Sequence, residues 1–587
     1  MVFKGTIERI NGSLIVSTFT DIVKIGDVVS IGNQGLMGEI VRIIEDTAFI
    51  QCYEITSGLK PGEPVVDKGA PLVAELGPGI LGTILDGIGR PEIKLWEMRG
   101  PFVERGVTLS TLDHKKHWAF TPVVKLGDQV HGGDILGTVQ ETEYFQHNIL
   151  VPPNFHGTIN AIERGEFTVE DTVGSIQTST GTHPLKLMHT WPVRLHRPYK
   201  ERLHMDRPLI TGQRVIDTFF PIAKGGTACI AGGFGAGKTM LLQQISKWSD
   251  ADIIIFIGCG ERGNEMADVV YNFPQLQDPR GKHKLIERTV IIANVSNMPV
   301  SAREASIYLG ATIAEYYRDQ GYDVAVIADS TSRWAEALRD ISGRLEEIPA
   351  EGGYPAYLAD RLAEIYERAG KVSVLGSTNR TGSLTIMGAV SPPGSDFSEP
   401  VTTNTLRFVG TFWALDYQLA FRRQFPAVNQ INSFTRYLTI SSKWWSEYDP
   451  TWETLRINVL QLLEEAAEIE ETARIIGEKS LPDEQRFVLL IAGMYREGFL
   501  RQNATHPVDT YCEPNKQIKL ATLFYNFFEK ASPLIRKGIP IEKLREYCSV
   551  GELMRLKEQE GVEPIENAQT RILTRLAQLS EQYEAIE

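Results

Sequence analysis

Eight consecutive residues, Gly232-Gly233-Phe234-Gly235-Ala236-Gly237-Lys238-Thr239, have the types and spacing of a phosphate cradle. Glycines let the backbone wrap an anion closely, so that successive N–H groups and the N-terminus of a following helix face the phosphates. In such a loop Lys238 would pair with the β- and γ-phosphates of a nucleoside triphosphate, and the Thr239 hydroxyl would ligate Mg²⁺. The flanks are those the pattern requires. Thr227-Ala228-Cys229-Ile230-Ala231 reads as a strand before it, and Met240-Leu241-Leu242-Gln243-Gln244-Ile245 as a helix after it.

Two acidic residues are candidates for the same chemistry. Asp329 ends the apolar run 324–328, and a carboxylate at the end of a neighbouring strand is where Mg²⁺ is held, directly or through water. A strand-end Asp alone caps turns just as readily; the neighbouring cradle favours the metal reading. Glu261 lies in Gly258-Cys259-Gly260-Glu261-Arg262-Gly263-Asn264-Glu265, after the apolar run 253–257. It either reaches the same sheet edge and orients an attacking water, or caps a helix or pairs as a surface charge. The residues alone leave both open.

These groups need a scaffold. From about 205 to 430, short apolar runs at 227–231, 253–257, 290–293, 324–328 and 372–375 alternate with helical stretches. They are largely β-branched, as strands of a mostly parallel sheet buried on both faces should be. Residues 1 to about 70 read as short β segments with Gly and Pro between them, which predicts a small barrel. A second β-rich island covers about 115–185 and is similar to the barrel-sandwich fold of lipoyl and biotinyl carriers. It lacks a modifiable Lys around His147-Asn148, so it reads as a structural module. Beyond Trp444-Trp445, Val459, Leu462, Leu463 and Ala466 share one helix face, with Glu464, Glu465 and Glu468 beside them.

The bulk numbers agree with this layout. A chain of 587 residues is expected to form about three to five domains. A net charge of −14 disfavours a nucleic-acid binder, which needs clustered Lys and Arg. No apolar run nears the roughly 20 residues of a membrane-spanning helix, and no secretory pattern opens the chain, so a soluble protein is expected. Five scattered cysteines without C-x-x-C spacing favour a reducing compartment over disulfides or zinc.

Five longer strings carry a family resemblance. They are Gly260-Glu261-Arg262-Gly263-Asn264-Glu265, Asp329-Ser330-Thr331-Ser332-Arg333-Trp334-Ala335-Glu336-Ala337-Leu338-Arg339, Ser391-Pro392-Pro393-Gly394-Ser395-Asp396, Thr211-Gly212-Gln213-Arg214-Val215-Ile216-Asp217 and Ala302-Arg303-Glu304-Ala305-Ser306-Ile307-Tyr308. With them the chain resembles, over essentially its whole length, the catalytic A subunits of V-type and archaeal-type rotary ATPases. The resemblance implies a multidomain α/β protein: an N-terminal β-barrel (1–70), a RecA-like P-loop core (71–114 and 186–437), an inserted barrel-sandwich domain (115–185) and a C-terminal helical domain (438–587).

It further implies that Glu261 polarises the attacking water, that Arg262 holds the γ-phosphate end beside Lys238, and that Phe425 is an adenine-pocket aromatic. Met240 and Gln502 join the nucleotide-binding set, and Mg²⁺ is the metal. The implied partners are a noncatalytic B subunit supplying an arginine finger in trans within an A3B3 ring, a central rotor stalk and a peripheral stalk, with no nucleic acid. The implied location is the cytoplasmic face of a membrane whose H⁺ or Na⁺ transport is coupled to ATP turnover. The alternatives are a Rho-like RNA-stimulated helicase and a noncatalytic nucleotide-binding subunit.

Two departures stand out. Members usually have Pro where this chain has Gly233, which raises the loop's ordering cost by ~1 kcal/mol or less without removing a phosphate-binding N–H. The family strip Gln-Asn-Ala-Phe appears as Gln502-Asn503-Ala504-Thr505, so no aromatic contact carries over to position 505.

Overall fold

Alternating apolar residues close the start of the chain into a barrel. In the computed structural model, which describes residues 4–100, 105–279, 281 and 283–584, six antiparallel strands from Lys4–Asn11 to Pro64–Pro71 join in a ring. The outermost residues of the expected first and last domains, and 101–104, lie outside the described residues. Ile7, Ile15, Val29, Ile40, Ile50 and Val65 fill the barrel, all at most 1% exposed. Closure removes the unpaired edges that such short strands would otherwise present.

The chain divides into two compact units, each assembled from three stretches. The first (1–205, 224–229 and 251–409) holds the barrel, the β island and most of the core sheet. The island is two four-stranded sheets, and its last strand, Gly181–Lys186, ends one residue past the expected limit. Its tie to the core is buried and polar. His147, 0% exposed, places Nδ1 at 2.6 Å from Glu141 Oε2 and Nε2 at 2.7 Å from the Tyr316 hydroxyl, on the helix Val300–Asp319. Glu141 also accepts the N–H groups of Gly79 and Leu81, at 2.7 and 3.0 Å. Burial pushes the Glu141 carboxyl up, but the His147 ring and these donors outweigh it and leave the group below its usual range.

The segment where a carrier domain would present its lysine is therefore an internal strut. His147→Ala leaves Glu141 buried with one partner fewer and is expected to destabilise the protein by about 1–3 kcal/mol. The loss should read as a lower midpoint in denaturant unfolding, with the slope unchanged.

The core sheet of this unit runs in the order Thr227–Ala231 (through Cys229), Thr381–Val390, Asp323–Asp329, Ile253–Glu261, Thr289–Val295 and Ile84–Leu85. From Thr381–Val390 onward these neighbours are parallel. Of the run at 372–375 only Val372 and Ser373 lie in a strand, Gly370–Ser373, which pairs antiparallel with Thr381–Val390; Val374 and Leu375 lie beyond its end. Thr381–Val390 is thus a central strand not named among the sequence candidates. Its polar residues are satisfied inside: Ser383 donates to Asp323 Oδ1 at 2.6 Å, and Thr385 Oγ1 accepts the Gly225 N–H at 2.8 Å.

The second unit (206–223, 230–250 and 410–587) contains the glycine-rich loop, the helix Lys238–Trp248 and the C-terminal helices. The 25-residue helix Trp452–Ile476 buries Val459, Leu462, Leu463 and Ala466 and exposes Glu464, Glu465 and Glu468, as the periodicity predicts. Among the described residues no helix is long and apolar enough to cross a membrane.

Candidate functional site

The glycine-rich loop owes its shape to a few positions. Gly235 and Gly237 take φ of +80° and +88°, where a side chain would be strained. A Cβ on Gly232 would lie 2.8 Å from Leu415 Cβ, so bulk is excluded there as well. Gly233 is not among the left-handed positions, and its carbonyl accepts the Ala236 N–H at 3.3 Å.

Lys238 opens the helix Lys238–Trp248, and its ammonium reaches back to the carbonyls of Gly232 and Gly233 at 2.6 and 3.0 Å. Thr239 follows in the first turn, and no side chain caps this helix start. Its N–H groups and partial positive charge therefore suit an anion.

Beside the loop lies a cavity of about 830 Å³, lined by Gly235, Ala236, Gly237 and Met240 and also by Phe425 and Gln502. The Phe425 ring comes within 3.9 Å of where a Gly237 Cβ would sit. Within the second unit the structure thus gathers the predicted loop, Met240, Phe425 and Gln502 around one space. Phe234 stands outward at 73% exposure. Thr505 lines the cavity, its hydroxyl turned to Asn503 Oδ1 at 2.9 Å.

The wall also holds residues that the sequence reading did not assign, among them Arg423, Arg501, Asp509 and Lys557. Asp509 is paired at 2.8 Å with Arg214, which is 0% exposed. Arg214 lies in one of the resemblance strings, but nothing local marked it as a pocket support.

In the first unit, Glu261 and Asp329 are the last residues of neighbouring parallel strands. Gly258 is in register with Asp329, and the Ser330 N–H reaches the Cys259 carbonyl at 3.4 Å. The strand runs past the apolar residues 253–257 to Glu261, whose carbonyl accepts the Ser296 N–H at 2.9 Å. The helix Gly263–Asn272 follows, with Arg262 at its N-cap position. Asp329 is 3% exposed, Glu261 is half-buried and Arg262 is exposed. Both carboxylates thus stand at the carboxyl edge of a parallel sheet, where open α/β sheets bind ligands.

The Arg333 guanidinium donates to both oxygens of Glu336 at 2.9 Å. That bond, with the charges of Glu336, Glu261 and Glu265, raises its pKa further. Burial pushes the Cys259 thiol up to about 12 and raises Cys229 as well, so neither is poised as a thiolate.

A nucleotide-binding α/β core carrying a barrel, a barrel-sandwich insert and a helical C-terminus defines a class, and comparison with known families gives the same one. The nucleotide-binding domain of the ATP synthase alpha/beta family matches residues 212–435, and that family's beta-barrel domain matches 7–69. The ATP synthase alpha/beta subunit barrel-sandwich domain matches 109–194, and the C-terminal domain of V and A type ATP synthases matches 441–545.

The chain is 52% identical over 586 residues to the A subunit of the A-type ATP synthase of Methanopyrus kandleri, covering 99% of this chain and 98% of the relative. It is 51% identical over 583 residues to the same subunit of Thermofilum pendens, covering 99% and 97%. It is 52% identical over 546 residues to the V-type ATP synthase alpha chain of Thermoanaerobacter pseudethanolicus, covering 93% and 92%. The chain belongs to the A-subunit family of A-type and V-type ATP synthases, the catalytic nucleotide-binding subunits of these ion-transporting complexes.

Proposed function

We propose that ATP is held with its phosphates on the loop 232–239 and its base against Phe425, and that Glu261 aims water at the γ-phosphate. The observation that carries this reading is the placement of Glu261 and Asp329 at the ends of adjacent parallel strands. Lys238 neutralises the β- and γ-phosphates, and Arg262 holds the γ-phosphate end. Phosphoryl transfer asks the protein mainly for positioning and electrostatic stabilisation, and these side chains supply both.

The donors suit Mg²⁺. The Thr239 hydroxyl on a helix first turn and the Asp329 carboxylate at a strand end are hard oxygen ligands, and among the described residues no group of three or more His, Cys, Asp or Glu forms a rival metal site. Mg²⁺, when bound, neutralises charge developing on the phosphate oxygens. Thr239 would hold it, with Asp329 doing so directly or through a water.

The finer assembly is part of the same proposal. The chain works in an A3B3 ring on the cytoplasmic face of a membrane, with a central rotor stalk and a peripheral stalk, coupling ATP turnover to H⁺ or Na⁺ transport. The β island, 115–185, faces the peripheral stalk. The domain limits in this reading are 1–70, 71–114 with 186–437, 115–185 and 438–587.

An arginine finger supplied by the B subunit would be worth ~10³–10⁵ in rate. The purified chain alone should therefore hydrolyse ATP slowly, and addition of B should restore turnover. Full-rate hydrolysis by the isolated chain would sink the finger in trans.

A further inference from the structure

Gln502 borders the cavity beside the loop, yet both N–H donors of its side chain are already used. It is 3% exposed. Its Nε2 donates to the Gly212 carbonyl at 3.0 Å and to the Asp509 carbonyl at 3.1 Å, and its Oε1 accepts the Arg214 N–H at 2.6 Å. A carboxamide has two N–H donors and one oxygen, so no donor remains to read a base edge. Its main-chain N–H donates to the Phe425 carbonyl at 2.6 Å.

The partners of Gln502 are themselves fixed. Gly212 takes φ +71°, and a Cβ there would meet the Tyr511 ring at 2.0 Å. Its carbonyl also accepts the Cys512 N–H at 3.0 Å. Arg214 is anchored at 2.8 Å to Asp509 Oδ1 and at 2.9 Å to the Arg501 carbonyl. Asp509 Oδ2 accepts the Asn503 N–H at 2.9 Å, which holds the residue after Gln502 in place. Gln502 therefore ties three segments, around 212–214, 425 and 509, into one rigid wall.

We propose that Gln502 is a positioning residue for the base end of the nucleotide pocket. It sets Phe425 by holding that residue's main chain against the buried Arg214–Asp509 pair, and it does not recognise the base itself. The inference rests on the reading that Phe425 stacks on the base. Breaking the tie should cost the part of ATP affinity that comes from stacking and leave the phosphate end untouched.

The test uses the assembled complex, with KM for ATP, kcat, and the inhibition constant of Mg-tripolyphosphate, which carries phosphates and no base. Gln502→Met keeps the side-chain volume and removes its three hydrogen bonds. It should raise KM for ATP roughly 5- to 150-fold, the range of a lost base–aromatic stack. The tripolyphosphate constant and kcat should stay within about twofold, because the loop and the strand ends are not involved. Phe425→Ala should raise KM in the same range, and the double variant should go no higher than Phe425→Ala alone, since both act through one ring.

Multiplying effects in the double variant would mean that Gln502 touches the base directly, and would overturn the proposal. Equal weakening of ATP and tripolyphosphate would reduce Gln502 to general support, and an unchanged KM would remove it altogether. A Phe425→Ala variant with normal KM would instead overturn the stacking reading beneath it. Where Gln502→Met does not assemble, Gln502→Glu keeps an acceptor for the Arg214 N–H, and the same pattern is expected of it.

Discussion

Lys238→Gln in the assembled complex is expected to lower ATP turnover by ~10²–10³-fold, the scale for removing a preorganised stabilising group from a transition state. The structure explains the size of the effect. Lys238 is the first residue of its helix, and its ammonium lies 2.6 and 3.0 Å from two carbonyls of the loop that would enclose the phosphates. Gln keeps the length of the stem but not the charge, while the phosphates keep theirs. Lys238→Arg should also fail largely, since a planar fork does not replace a compact ammonium in a tight glycine loop. Steady-state hydrolysis and binding of labelled ATP measure both changes. A Lys238→Gln enzyme within tenfold of the parent rate would mean that the phosphates are held elsewhere.

The second large effect separates chemistry from binding. Glu261→Gln should slow turnover by ~10²–10⁴-fold, the usual worth of a group that handles the nucleophile's proton. Affinity for ATP should change little, because the tie that holds this strand end is main-chain, from the Ser296 N–H to the Glu261 carbonyl at 2.9 Å, and survives the substitution. Interactions made only in the transition state lower kcat without raising KM, and that split is the signature sought. A Glu261→Gln enzyme with normal kcat, or with only a raised KM, would assign the water-orienting role to another group.

Much of this was legible because the relevant physics is local. The barrel followed from alternation and turn residues, and the helix Trp452–Ile476 from its periodicity. The strand Thr381–Val390 was harder to see. Gly382, Ser383, Thr385 and Gly388 dilute its apolar pattern, and only burial of the hydroxyls against Asp323 and Gly225 makes it a core strand. The strand ending at Glu261 likewise outlasts its apolar run, because Gly258 and Cys259 continue the pairing and, after the register shifts at Gly260, Glu261 pairs with Val295.

By itself the sequence showed the glycine-rich loop, since Gly232 to Thr239 are consecutive and the pattern lies in one local stretch of backbone. It also placed Asp329 and Glu261 after apolar runs, close to the strand ends where the fold puts them. Tertiary structure alone decided how Gln502 is used. The partners of its amide at Arg214 and Gly212 lie 288 and 290 residues away along the chain, and hydrogen bonds over that separation leave no pattern in a local window.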